Sequence, residues 1–302
     1  MKRIGFVIIT YNRPEDMLAL MQNISQLQHK EELLEEVIIV NNNSSSDYTL
    51  VEKYVNDNKH IPFKYIHSEE NLGVAKGRNF AIKQSCAPIL IMLDDDAELE
   101  GNDALLQIDK IYEEQGNQLA IASFKVLYYS TRQMQKNAFP HKQFEKKKHL
   151  HSFDTYYYAG GAHAISREAI SKANFYPEDF FYGMEEYDLS YRLLNLGYRI
   201  IYTDNIVMLH KESPLGRQPN RDKMRMLWIN KSKVAWRYLP FIYFISTSIM
   251  WSMEYLLKSK FDMIGWLKNW KAILQIPANE PKSTVDKKTL TYLKQVDARL
   301  SY

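Results

Sequence analysis

Ile89-Leu90-Ile91-Met92-Leu93-Asp94-Asp95-Asp96 reads as a buried parallel strand that ends in three carboxylates. Acidic residues at the C-terminal end of such a strand suggest a divalent-metal site. Side chains alternate along extended backbone, so Asp94 and Asp96 can face one side while Asp95 turns away. That geometry suits one shared cation and one ligand, and the natural ligand of the cation is a diphosphate. An isolated Asp triplet is more often a solvated acidic turn. Its position after an apolar run is what favours a site.

Working outward, residues 4–10 read as a strand, 14–26 as a helix opening with Pro-Glu-Asp, 37–41 as a strand and 47–58 as a helix. A strand at 63–66, a helix at 74–84 and the strand at 89–93 follow. Strands alternating with helices argue for a parallel sheet covered on both faces, with ligands bound beyond the carboxyl ends of its strands. That edge gathers residues 10–13, 41–45, 71–79 and 94–96. No GxGxxG or GxxxxGK[ST] sequence is present, so neither a dinucleotide fingerprint nor a P-loop is supported. Asn71-Leu72-Gly73-Val74-Ala75-Lys76-Gly77-Arg78-Asn79 instead offers a glycine turn into a helix with Lys76 and Arg78 in the first turn. Cations there oppose the helix dipole, which points to a nearby anion; the plain alternative is a turn with two surface charges.

The 302 residues allow one large α/β domain with an appendage, and 45% hydrophobic with 25% charged residues describe an ordinary folded protein. Cys86 is the single cysteine, which excludes an intrachain disulfide and a multi-cysteine zinc site and fits a reducing compartment. The N-terminus reads as a first strand, not a signal peptide. From Arg217 onward Lys and Arg number 16 against 6 Asp and Glu, a surplus of +10, whereas residues 1–216 carry 23 against 30, or −7. The expected organisation is therefore a body over 1–216, with halves 1–98 and 99–216, and a basic, aromatic-rich helical tail over 217–302. Such a tail suits an anionic surface, nucleic acid or lipid.

A second polar cluster lies at Glu185, Glu186 and Asp188, ahead of Leu189, Leu193, Leu194 and Leu196 at roughly helical spacing. On its own it is an acidic first turn on an ordinary helix. Gly160-Gly161 can be a simple turn, and His210, after an apolar run, a structural hydrogen-bonding residue.

Taken in order, Ile8-Ile9-Thr10-Tyr11-Asn12-Arg13, Val40-Asn41-Asn42-Asn43-Ser44-Ser45, Asn71-Leu72-Gly73 with Gly77-Arg78-Asn79, and Leu93-Asp94-Asp95-Asp96-Ala97 resemble the nucleotide-sugar half of a family 2 glycosyltransferase, rhamnosyltransferase-like group. The likeness covers roughly two thirds of the chain. It implies an α/β GT-A fold, Rossmann-like, with a mostly parallel sheet flanked by helices and a C-terminal helical appendage. It implies that Asp94 and Asp96 contact the ribose and hold Mg²⁺ or Mn²⁺ against the diphosphate, that Asp95 joins the donor site, and that Thr10, Asn12 and Arg13 line the base pocket. Many relatives carry Asp where Asn41 stands; its amide oxygen still accepts an imide N–H, so the donor expected is UDP- or dTDP-linked. The resemblance places Gly160 and Gly161 beside the acceptor cleft, Asp188 among the substrate contacts, His210 as a metal ligand, and the general base on Glu186, with Glu185 as the alternative. Metal stabilises the leaving diphosphate, the base activates an acceptor hydroxyl, and one in-line attack inverts the anomeric centre.

Residues 239–257 are largely apolar but contain Pro240 and Glu254. Lysines at both ends, with Trp251, Trp266 and Trp270 interleaved, suit an interfacial helix pair; a packed helix and a single span remain open. Residues 141–151, with Lys146-Lys147-Lys148, read as a mobile, solvated surface loop; if the loop does more, it covers the acceptor site. Gln218-Pro219-Asn220-Arg221 partly matches the Gln-x-x-Arg-Trp of processive synthases, but Asp222 replaces Trp, which implies a non-processive enzyme. The expectation is a cytoplasmic enzyme, in peripheral contact with an anionic membrane surface and without a nucleic-acid partner, moving a sugar to a glycan or lipid-linked acceptor in surface polysaccharide synthesis. A sugar nucleotidyltransferase and a catalytically silent nucleotide-sugar-binding module are the alternatives; only the first of these releases pyrophosphate.

Overall fold

The computed structural model describes residues 2–212 and 220–301; the 216/217 boundary, Gln218 and Pro219 lie outside the described residues. The chain begins with β1 (Ile4–Thr10), α1 (Pro14–Ser25), α2 (Lys30–Leu33), β2 (Leu34–Asn41), α3 (Thr49–Asp57), β3 (Phe63–His67), α4 (Gly73–Lys83) and β4 (Ile89–Asp94). It continues with β5 (Ala97–Glu100), α5 (Ala104–Gln115), β6 (Leu119–Tyr128), α6 (Phe144–Lys147), β7 (Ser152–Thr155), β8 (Ala162–Ser166), α7 (Arg167–Lys172), α8 (Glu185–Asn195) and β9 (Arg199–His210). Four helices close it: α9 (Asn220–Tyr238), α10 (Phe241–Lys258), α11 (Met263–Asn279) and α12 (Lys287–Gln295).

Local chemistry accounts for the early elements. Pro14 sits at the start of α1, where its missing N–H has no partner to lose, and Glu15 and Asp16 suit the dipole. Met17, Leu20, Met21 and Ile24 then form one buried stripe. β1 and β4 are apolar almost throughout because helices cover both faces of the sheet.

The strands form one sheet in the order β3-β2-β1-β4-β8-β6-β9-β5, with β7 also on β9. β3, β2, β1 and β4 are mutually parallel, as are β6 and β9. β8 runs antiparallel between β4 and β6, and β5 and β7 pair antiparallel with β9. Thr10 lies opposite Asn41, Asn41 opposite His67, and Ile9 opposite Asp94, so the carboxyl ends of four strands meet at one edge. β9 is continuous where the sequence shows two apolar pieces; a bulge after Thr203 carries it on, and its last residue, His210, pairs with Ala97 beside Asp96.

The C-terminal helices are bound into this body. Asn230 donates to the carbonyls of Tyr182 and Gly183, and the Tyr292 hydroxyl to that of Thr155. Val285, Leu293 and Leu300 share an apolar cluster with Tyr191 and Leu193, while α10 and α11 pack on α9 around Trp228. None of the described helices is long and apolar enough to cross a membrane, which removes the spanning reading of residues 239–257. Residues 141–151 are not the free loop expected: His141 is buried and bonds the Val296 carbonyl, and Phe144 packs edge-on against Phe139.

Candidate active site

The end of β4 and the turn after it separate the three aspartates. Asp95 turns inward to Arg13 (2.8 Å) and the Tyr11 N–H (3.2 Å). Burial pushes its pKa up to about 7, with the Arg13 charge opposing and Asp96 adding to the rise. Asp94 and Asp96 meet His210, and the three offer ligand atoms within 4.8 Å of one another. The Lys211 N–H to Asp96 carbonyl bond (3.0 Å) and the His210–Ala97 pairing hold β9 against this turn. His210 Nδ1 lies 3.1 Å from the Gln135 amide oxygen and Nε2 lies 3.4 Å from Asp96 Oδ1. Donation from Nδ1–H to Gln135 leaves Nε2 as the nitrogen facing the carboxylates, the usual way an imidazole ligand is oriented. Burial disfavours a charge on His210, but bonding to Asp96 and the fields of Asp96 and Asp94 outweigh it, so its pKa is raised. Two carboxylates and an imidazole are a donor set that fits Mg²⁺ or, with its nitrogen, Mn²⁺.

Facing this triangle is the first turn of α8. Gly183 (φ 79°) and Met184 (φ 77°) both take the left-handed conformation, turning the chain so that Glu185 and Glu186 point toward the sheet edge. Arg78 is buried between the acids: its guanidinium lies 3.3 Å from Asp94, 3.7 Å from Glu186 and 3.8 Å from Glu185. Burial raises the pKa of both glutamates, Arg78 only partly offsetting it. The Gly160-Gly161 pair supplies space. A Cβ on Gly160 would come within 1.9 Å of Glu186 Oε1, and one on Gly161 within 2.1 Å of Asp94 Oδ2. Around these groups lies a cavity of about 660 Å³, walled by the sheet edge, the Gln135–Ala138 segment, residues 181–187, and Lys223 and Leu227 of α9.

With this geometry in place, residues 6–173, more than half of the chain, match the family model for glycosyl transferase family 2. The chain belongs to that family. An uncharacterized protein of Haemophilus influenzae is 33% identical over 177 residues, covering 58% of this chain and 92% of that one. The fold is similar to the mannosyltransferase PcManGT of Pyrobaculum calidifontis, solved with GDP-Man and Mn²⁺ (TM-score 0.61, 16% identity, covering 97% of this chain and 79% of that one). It is also similar to S. aureus TarS 1–349 solved with UDP (TM-score 0.60, 16% identity, covering 91% and 80%). The protein is a glycosyltransferase with a GT-A fold.

In this glycosyltransferase some expected site residues stand at the cavity and others do not. Arg13, Asn71, Gly73, Arg78, Asp94, Asp95, Asp96, Gly160, Gly161, Glu185, Glu186 and His210 line it. Thr10 is wholly buried, its hydroxyl bonded to Tyr48 (2.6 Å). Asn12 ties two loops together by accepting from the N–H groups of Ser45 and Ser46. Asn41 is buried with its amide donating to Tyr65 (2.7 Å) and its oxygen accepting from the Ser44 N–H (2.9 Å). Lys76 turns to solvent and pairs with Glu70 (2.9 Å). The anion that Arg78 serves is the protein's own carboxylate cluster. Asp188 is drawn away from the cleft: it binds Arg192 (2.6 Å), Arg237 (3.0 Å) and the Tyr238 hydroxyl (3.0 Å), fastening α8 to α9.

Several lining residues were not singled out as site residues by the sequence. Gln135 reaches His210 from an irregular segment without a motif. Asn42, next to the residue singled out, bonds Asn71 (3.0 Å) and holds the turn into α4. Tyr157 and Tyr187 stack at 4.6 Å and 14°, a flat aromatic wall beside Glu186. Tyr157 opens the Tyr157-Tyr158-Ala159-Gly160-Gly161 stretch, so its neighbourhood was legible even though its stacking on Tyr187 was not.

Proposed function

We propose that the enzyme moves a sugar, with inversion, from a UDP- or dTDP-linked donor to a hydroxyl of a glycan or lipid-linked acceptor in surface polysaccharide synthesis, at the cytoplasmic face of a membrane. The observation that carries this reading is the meeting, in one cavity, of the Asp94–Asp96–His210 triangle and the Glu186 carboxylate. The triangle would hold Mg²⁺ or Mn²⁺, which when bound supplies a Lewis acid for the leaving diphosphate. Glu186 takes the proton of the acceptor hydroxyl. It is favoured over Glu185 because its side chain is 19% exposed against 5%, and because Glu185 Oε2 is buried without a hydrogen-bond partner, which favours a retained proton there. Arg78 keeps Glu186 ionisable and fixes its direction, and Gly160 leaves its oxygen room beside the cavity. The Tyr157–Tyr187 wall suits the apolar face of an acceptor sugar.

Thermal shift against a panel of UDP-, dTDP- and GDP-linked sugars, with and without Mn²⁺, tests the reading. Stabilisation by UDP- or dTDP-sugars that requires Mn²⁺ is expected. A shift with GDP-sugars alone would move the donor class. A shift by nucleotide sugars that is indifferent to metal would remove the Asp94–Asp96–His210 assignment.

A further inference from the structure

α10 is built inside out for a helix that faces water. Its buried side includes Thr247, Ser248 and Ser252. Ile242, Ile245, Ile249, Met253 and Leu257 face outward along one helical stripe, with Ile242 at 64% and Leu257 at 65% exposure. The turn adds Phe261, and α11 continues the surface with Ile264 (69% exposed), Leu267 and Leu274 (72%). Most of the large apolar side chains exposed among the described residues lie between 241 and 274. A concentration of exposed apolar side chains on two packed, consecutive helices marks a surface that is covered in use.

Its charge selects the cover. Beyond Lys258, which Glu254 engages, Lys260, Lys268 and Lys271 are exposed at the turn and along α11. The carboxylates nearby are neutralised: Glu254 pairs with Lys258 (2.7 Å), and Asp262 caps α11 at the Gly265 N–H (3.0 Å) and binds Arg221. A second copy docked across a two-fold axis would set this lysine-rich surface against itself. Anionic lipid complements both the lysines and the apolar stripe, and neither helix is suited to cross the bilayer.

We propose that the α10–α11 hairpin lies in the surface of an anionic membrane, its apolar stripe at the headgroup–acyl boundary and its lysines on lipid phosphates. This gives the peripheral contact of the proposed function a defined surface and rests on that reading only for the nature of the acceptor. α9 packs against both helices and carries Lys223 and Leu227 into the cavity wall, so docking sets the cleft one helix away from the lipid. That is the position a lipid-linked acceptor needs.

Flotation of the full chain with vesicles of phosphatidylcholine, or of phosphatidylcholine with about 30% phosphatidylglycerol, tests the docking. Strong flotation with the anionic vesicles, weakened by salt, is expected. Ile249→Glu with Met253→Glu is expected to lower partitioning on the order of tenfold or more, since it places charge at the acyl boundary. Lys268→Glu with Lys271→Glu is expected to remove the preference for anionic vesicles. An unchanged unfolding midpoint and nucleotide-sugar shift show that the variants are folded. Flotation indifferent to both double variants overturns the proposal, as does a wild-type chain that ignores vesicles. A dimer dissolved by Ile249→Glu with Met253→Glu, without vesicle binding, would assign the face to a second copy. Flotation as expected from a chain that no nucleotide sugar stabilises would retain this docking surface and remove the proposed donor reading.

Discussion

At the amino edge of the sheet, the Glu36 side chain is 1% exposed and fully engaged. Lys64 (2.6 Å), the Ser85 hydroxyl (2.6 Å) and the N–H groups of Cys86 (2.7 Å) and Ala87 (3.0 Å) all donate to it. Burial presses it toward the neutral form, yet these donors win and hold its pKa to about 2. At the carboxyl edge, Glu185 and Glu186 share Arg78 with Asp94 at 3.7–3.8 Å, burial wins, and both pKa values rise. The same residue type, at opposite edges of one sheet, is thus driven in opposite directions by the number of donors within hydrogen-bond reach. A carboxylate that only supports the fold is saturated with donors. One that must exchange a proton is left short of them.

The largest effect expected from this contrast is at Glu186. Glu186→Gln should lower transfer by about 10²–10⁴-fold while the metal-dependent nucleotide-sugar shift persists. Glu185→Gln should cost far less, and the reverse result would move the base to Glu185. Because a base must be deprotonated and Glu186 has a raised pKa, kcat/KM should fall on the acid side of an inflection above the ordinary carboxylate value of 4.5. Arg78 opposes that rise, so Arg78→Gln should move the inflection further up in a pH–rate profile.

The two edges also differ in how much of them the sequence disclosed. The parallel half was readable because each strand is an apolar run followed by an amphipathic helix, and its carboxyl ends fall at polar clusters. Beyond β4 the pairing is non-local: β8 inserts between β4 and β6 although it follows both in the chain, and β9 collects β5, β6 and β7. Periodicity carries no such information. Within the site, residue types were legible and directions were not. Lys76 and Arg78 lie two positions apart on α4, roughly 200° around the helix, so a single anion could not take both. Asp188 follows Glu185 by three positions and shares its buried side of α8; Arg192, four positions on, is a partner that helix spacing discloses, but Arg237, which ties Asp188 to α9, lies 49 residues further on.

A smaller effect is expected where packing sets up the acids. Gly160→Ala places a Cβ 1.9 Å from Glu186 Oε1, so the carboxylate must move by an ångström or more. A displacement of that size is expected to reduce kcat at saturating donor by about 10²-fold. The matching change Gly161→Ala acts on Asp94 instead, 2.1 Å away, and should appear as weaker Mn²⁺ affinity in a metal titration. A normal kcat in Gly160→Ala would show that Glu186 reaches the acceptor by another path than the one past Gly160.

At the amino edge the expected effect is on stability alone. Glu36→Gln keeps the shape but removes the charge that Lys64 and three other donors address, and loss of a charged hydrogen bond costs about 1.5–3 kcal/mol. Transfer should be unchanged once the protein is folded. The sign with pH follows from a folded pKa depressed from 4.5 to about 2. The carboxylate's contribution is fully present above the unfolded value of 4.5 and is lost as pH falls toward 2, because the unfolded chain takes up the proton first. Urea midpoints of wild type and Glu36→Gln should therefore differ most above 4.5 and converge below it. A difference that grew on acidification would mean that Glu36, like the glutamates at the cleft, has its pKa raised by burial, and would erase the contrast between the two edges.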